Sequence, residues 1–139
     1  MAGNVGTQSL AVTIRVLMDE NLTGKDKLKL VVKEMKVGFC NGALLGIMAL
    51  VYLGIYIALL KGYAFGTAMV ISACVGVSLL VAIVISSLIG TLVPMLFHKM
   101  KIDPAVASGP LITTVNDLVA VVTYYGLAWI FLIELIHIV

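Results

Sequence analysis

Charge is the scarcest resource in this sequence. Asp, Glu, Lys and Arg together make up 12% of its 139 residues, against about a quarter in an ordinary soluble domain. So few charges cannot build a water-facing shell around a chain of this length, which argues against a soluble globular fold. Cysteine is limited to Cys40 and Cys74, each in an apolar, glycine-rich run without a second Cys or a His at ligand spacing. That excludes a disulfide framework and a thiolate metal site, and both read as small packing residues. The two histidines, His98 in a basic stretch and His137 near the end, have no nucleophile at motif spacing. No enzyme is expected from such a set. The net charge of +2 is too small to require nucleic acid, since membrane proteins keep Lys and Arg in cytoplasmic loops anyway. The first eight residues are polar and glycine-rich, unlike a signal peptide.

What the chain has in quantity is hydrophobic sequence, 62% of it, with a mean hydropathy of +1.18. The apolar residues gather into four segments, at about 4–18, 37–60, 63–97 and 105–137. A helix crosses a bilayer with about 20 residues. The expected architecture is therefore all-α: a polytopic transmembrane helix bundle forming one domain over 1–139. The last two segments exceed one crossing and must tilt, bend or project. Pro94 and the Gly109–Pro110 pair are the expected breaks or helix starts, because proline cannot donate to the helical ladder. Between the first two segments, residues 25–36 read as a basic amphipathic helix. Leu28, Val31, Val32 and Met35 share a face, with Lys25, Lys29, Lys33 and Lys36 largely opposite, a pattern that suits either a headgroup layer or a solvated linker. The lysines also give an orientation. The first linker and the Lys99–Lys101 linker belong in the cytoplasm and Lys61 outside, which leaves Met1 on the outer side and points to an earlier span upstream.

Small residues recur four apart at Gly38, Gly42 and Gly46, and again at Gly62 and Gly66, Ser72 and Gly76, and Ser86 and Gly90. Such spacing lets helix backbones approach closely in lipid, where no hydrophobic drive separates helix from solvent. It specifies a bundle without specifying an activity.

Asp117 is the residue that asks for chemistry. It lies well inside the fourth apolar segment, where an ionised carboxylate costs several kcal/mol, of order 3, unless it meets water, a cation or a partner. Thr113, Thr114 and Asn116 surround it, and Gly109 lies two turns earlier, so oxygen atoms dominate this stretch. A second polar cluster, Gly3, Asn4, Gly6 and Thr7 with Gln8 and Ser9, opens the first segment. Its bland reading is a water-facing helix start; its functional reading is a second pore-lining element facing Asp117. Carboxylate, hydroxyl and carbonyl oxygens suit hard cations, Mg²⁺, Ca²⁺ or Mn²⁺. A sparse site suits Mg²⁺ best, since that ion keeps its waters and needs only one or two carboxylates.

The same two clusters carry a family likeness. The run from Gly3 to Ser9 with Arg15 after it, the run from Asp103 to Thr114 followed by Asp117, and Gly90-Thr91-Leu92-Val93-Pro94 resemble the membrane domain of MgtE-type magnesium transporters. The resemblance implies five helices per subunit and a homodimer, or a pseudo-dimer of two linked halves. Its single pore runs along the interface and is lined by the second and fifth helices. It implies Asp117 as the residue that holds hydrated Mg²⁺, with Thr113 as a neighbour and Asn4 with its glycines on the other lining helix. The first helix of that pattern, the start of its second, and its soluble regulatory modules have no counterpart in these residues. A multi-pass protein of the plasma membrane, in contact with lipid and not with nucleic acid, is the expected setting. Ion-coupled exchange of Mg²⁺ and a non-transporting membrane scaffold are the competing expectations.

Overall fold

The computed structural model describes residues 2–19, 21–107 and 110–135. Four α-helices account for most of them: α1 (Ala2–Leu17), α2 (Gly24–Leu60), α3 (Phe65–Lys99) and α4 (Pro110–Trp129). A 3₁₀ turn, Pro104–Ala107, precedes α4, and a π-helical turn, Ile130–Leu135, follows it. No strand occurs among the described residues. Two helices, α2 and α3, are long and apolar enough to cross a membrane.

Helix ends follow local chemistry. Thr23 caps α2 in a capping box: its hydroxyl accepts from the Asp26 N–H, and the Asp26 carboxylate accepts from the Thr23 N–H. Nothing between Lys36 and Val37 breaks a helix, so the basic stretch and the apolar stretch after it form one continuous rod of 37 residues. Gly62 turns the chain at φ +70°, a conformation glycine adopts without strain. Lys101 takes a left-handed φ of 59° while the Ile102 N–H donates to the Phe97 carbonyl at 2.9 Å, the closing bond of a Schellman stop. Pro110 begins α4, where its missing N–H costs nothing. Pro94 does not break α3, which runs through it to Lys99. The proline is buried among packed helices, and such packing holds a proline-containing helix together.

Contacts fix the helix directions. A methyl placed on Gly42 would lie 3.1 Å from the Leu80 Cα, one on Gly46 2.9 Å from the Gly76 carbonyl oxygen, and one on Gly54 3.0 Å from the Met69 Cε. Partner numbers fall as those of α2 rise, so α2 and α3 form an antiparallel hairpin. On the other side of α3, Ala2 accepts a hydrogen bond from Ser86, Gly6 meets Gly90, and Leu10 packs with Val93 and Phe97. There the numbers rise together, so α1 runs parallel to α3. In α4, Ile112 packs with Leu10, Asn116 meets Gly6, and Asp117 meets Gly3; α4 therefore runs opposite to α1.

The interior combines apolar side chains such as Leu10, Ile83 and Ile112 with many small polar ones. Ser72, Ser78, Ser86, Ser87 and Thr91 of α3 are buried, as are Ser9 and Thr13 of α1. Many of the large apolar side chains face outward, among them Leu44, Ile47, Met48, Val51 and Leu59. Ser87 joins three helices. Its hydroxyl donates to the Glu34 carbonyl of α2 at 2.8 Å and lies 2.8 Å from the Ser9 hydroxyl of α1. One hydroxyl carries one hydrogen, so Ser9 must be the donor in the second bond. The face α2 turns inward continues the glycine register backwards: Leu30, Glu34, Gly38, Gly42 and Gly46 are all buried.

Candidate ion site

Asp117 sits on α4 where that helix crosses the start of α1. The crossing is close because Gly3 has no side chain. A methyl there would overlap the Asp117 carboxylate. The carboxylate is thus seated on bare backbone while the residue as a whole stays exposed. Among the described residues it makes no hydrogen bond and no ion pair. Asp117 also lines a cleft of about 640 Å³ whose other walls come from all four helices, with Ala2 and Gly3, Ala49 and Leu53, Leu79 and Ala82, and Tyr124 and Tyr125. The walls are mostly apolar, and Asp117 is the one charged side chain among the described lining residues.

The polar residues named from sequence separate into two environments. Asn4 and Thr7 of α1 are exposed, and so are Thr113, Thr114 and Asp117 of α4. The Thr7 hydroxyl is turned back onto its own helix, donating to the Gly3 carbonyl at 2.7 Å. Gly3 and Gly6 are buried and serve as contact points. Asn116 parts company with Asp117: it is fully buried against Gly6 and Ser86, because consecutive helical residues point about 100° apart. Neither its amide nitrogen nor its oxygen has a hydrogen-bond partner among the described residues. Gly109 lies outside the described residues. No group of three or more His, Cys, Asp or Glu side chains suited to a metal occurs among the described residues. The site thus offers one carboxylate per chain and otherwise neutral oxygens.

The family model for MgtE, described as a divalent cation transporter, matches residues 1–127. The chain belongs to the MgtE family. Three magnesium transporters of that name are similar to it. The protein from Bacillus subtilis is 38% identical over 132 residues, covering 95% of this chain and 27% of the relative. The one from Enterococcus faecalis is 37% identical over 94% of this chain and 27% of the relative. The one from Thermus thermophilus is 31% identical over 91% of this chain and 26% of the relative. The chain therefore spans about a quarter of the length of these MgtE relatives.

Sequence reasoning passed over two residues in this MgtE chain. Glu34 stands in a run of lysines, a setting in which carboxylates are ordinarily solvated, yet it is 4% exposed. Ser87 reads as a neighbour of Ser86 and is the hydroxyl that ties three helices. The signal for Glu34 was present: stepping back four residues from Gly38 along the packing register lands on it.

Proposed function

We propose that this chain is the ion-conducting part of a magnesium transporter, a multi-pass α-helical membrane domain that passes hydrated Mg²⁺ across a cytoplasmic membrane. Two copies, or two linked halves, face each other across the exposed side of α1 and α4, with Asn4, Thr7, Thr113 and Thr114 lining the path. Asp117 is the residue that attracts and holds the ion. The observation that carries this reading is the Asp117 carboxylate itself: exposed, unpaired and set on Gly3 in an apolar helix. An outward surface of large apolar side chains over an interior rich in small and polar residues supports a lipid surrounding, where packing selects small residues.

Two-fold symmetry would bring two Asp117 carboxylates to one axis. Their combined charge matches a divalent cation, and both can act through its water shell. Mg²⁺ sheds its waters reluctantly, so a path that leaves the shell intact conducts better than one that strips it. The bound ion also offsets the repulsion between two neighbouring carboxylates. Mn²⁺ and Ca²⁺ belong to the same oxygen-seeking class, and their weaker or stronger passage would be set by the width of the path.

The test is Mg²⁺ uptake into liposomes. Asp117→Asn keeps the shape and removes the charge, and should leave the helical content intact while abolishing most of the flux. Asp117→Glu should retain part of it, because the longer side chain intrudes on the space the waters need. Undiminished uptake by a folded Asp117→Asn protein would refute the site.

A further inference from the structure

The cytoplasm-side half of α2 carries a surface that ion passage leaves unused. Leu30, Glu34 and Gly38 face α3. Turned away from α3, Lys25, Lys29, Lys33 and Lys36 form a stripe beside Leu28, Val32 and Val37, with Lys33 and Val37 at its edge, where a groove runs along α1. Basic and apolar strips are therefore neighbours on one outward face, rather than opposite each other. Leu28 is 65% exposed and Val32 46% exposed. Among the described residues Lys29 alone of these four lysines has an acidic partner, Asp26 at 3.9 Å, and its side chain remains 81% exposed. Glu34, the acidic residue nearest the middle of the stripe, is turned inward.

The depth of this face can be worked out, on the reading that the hairpin crosses a bilayer. Tyr52 and Tyr56 are exposed near the far end of α2, the kind of residue that marks a membrane–water boundary. Twenty residues back from Tyr56 is Lys36 (56 − 20 = 36). At about 1.5 Å per residue that is about 30 Å, the thickness of a hydrocarbon core. Lys36 thus lies at the edge of the hydrocarbon core, Lys33 about one turn further out among the headgroups, and Lys29 about two turns out, where its long side chain can reach back toward the phosphates. Exposed Cys40 and Leu44 lie further along the same side, at the level of the acyl chains.

We propose that the outward face of α2 from Lys25 to Val37 is a seat for an anionic phospholipid of the cytoplasmic leaflet. Lys29, Lys33 and Lys36 hold its phosphate, and an acyl chain lies along Val37, Cys40 and Leu44. Charge complementarity selects the lipid. A zwitterionic headgroup brings its own cation to the lysines, whereas phosphatidylglycerol brings net negative charge.

Cys40 supplies the probe, since it is exposed while Cys74 is buried. A fluorophore on Cys40 of the reconstituted protein would be quenched by brominated phosphatidylglycerol or by brominated phosphatidylcholine at matched mole fractions. The wild type should favour the anionic lipid by about fivefold or more, the factor one lysine supplies at a charged surface. K29Q/K33Q/K36Q should bring the ratio to about one, and K29R/K33R/K36R should preserve it. A wild-type ratio of one, or an unchanged ratio in the glutamine variant, overturns the seat. Abolition of the preference by sn-glycerol 3-phosphate at constant ionic strength would assign the lysines to a soluble anion and overturn it as well. Mg²⁺ uptake measured in the same vesicles separates this outcome from failure of the transport reading.

Discussion

Replacing Gly46 by alanine puts a methyl carbon 2.9 Å from the Gly76 carbonyl oxygen. Comfortable contact begins near 3.4 Å, so the α2 and α3 backbones must part by about half an ångström. Neither atom belongs to a flexible side chain that could swing away. Forcing extra volume into a packed contact costs about 1–3 kcal/mol. Alanine also favours the helix over glycine by about 1 kcal/mol, so the raw change in stability understates the contact. Gly126, in the body of α4, has no atom within 4 Å of a would-be methyl. Gly126→Ala therefore reports the propensity gain alone, and the difference between the two variants should be about 1–3 kcal/mol. The contact is reciprocal, with a methyl on Gly76 falling 2.8 Å from the Gly46 carbonyl oxygen. One separation relieves both clashes, so Gly46→Ala and Gly76→Ala together should cost less than their sum by about 1 kcal/mol. Unfolding by SDS titration in mixed micelles, followed by circular dichroism, reads all four variants. Equal stabilities for Gly46→Ala and Gly126→Ala, or strict additivity of the facing pair, would refute the close crossing.

Ser87→Ala should destabilise by about 1–2 kcal/mol, because it strips a donor from the Glu34 carbonyl and an acceptor from Ser9. Ser78→Ala should be close to neutral in the same titration, since the buried Ser78 hydroxyl has no partner among the described residues. Lys101→Gly should stabilise by about 1 kcal/mol by relieving the left-handed φ of 59°, seen as a raised thermal midpoint. The Thr23 hydroxyl, then the Thr23 N–H and less so Lys29, hold the Asp26 carboxyl below its ordinary range. A depressed carboxyl stabilises above its unfolded value, near pH ~4, and the effect is lost as pH falls through the folded value. Amide exchange in the first turn of α2 should therefore quicken on acidification, and Asp26→Asn should remove that dependence.

The glycine register made the α2–α3 contact legible in sequence because in lipid the close approach itself is the driving interaction. Gly38, Gly42, Gly46 and Gly54 are the glycines α2 buries. The same spacing misread Gly62 and Gly66: the first is a turn residue with positive φ and the second meets nothing within 4 Å. Spacing cannot tell a contact face from a helix end. The polar stripe around Asp117 was legible as composition, but its division into an exposed carboxylate and a buried Asn116 depends on where α1 lies against α4. Cys40 was expected to pack and faces outward, since an apolar neighbourhood in sequence does not fix a direction in lipid. The basic stretch before residue 37 suggested a separate helix, because a change in composition resembles a boundary. Without a breaker the hydrogen-bond ladder simply continues.

The bond between Ser9 and Ser87 acts as a fulcrum for α1. It lies six residues from Gly3 (9 − 3 = 6), about 9 Å along the helix axis. Below it Leu10 is clamped by Val93, Phe97 and Ile112; above it Gly3 bears on Asp117. A tilt of α1 about this pivot would shift Gly3 against Asp117 and, with it, the Ala2–Ser86 bond and the Gly6–Gly90 contact. The arm is about 9 Å, so moving this end of the helix by an ångström takes a rotation of about 6°. The seat of the Asp117 carboxylate on Gly3 is thereby coupled to the α1–α3 contact through the first turns of α1.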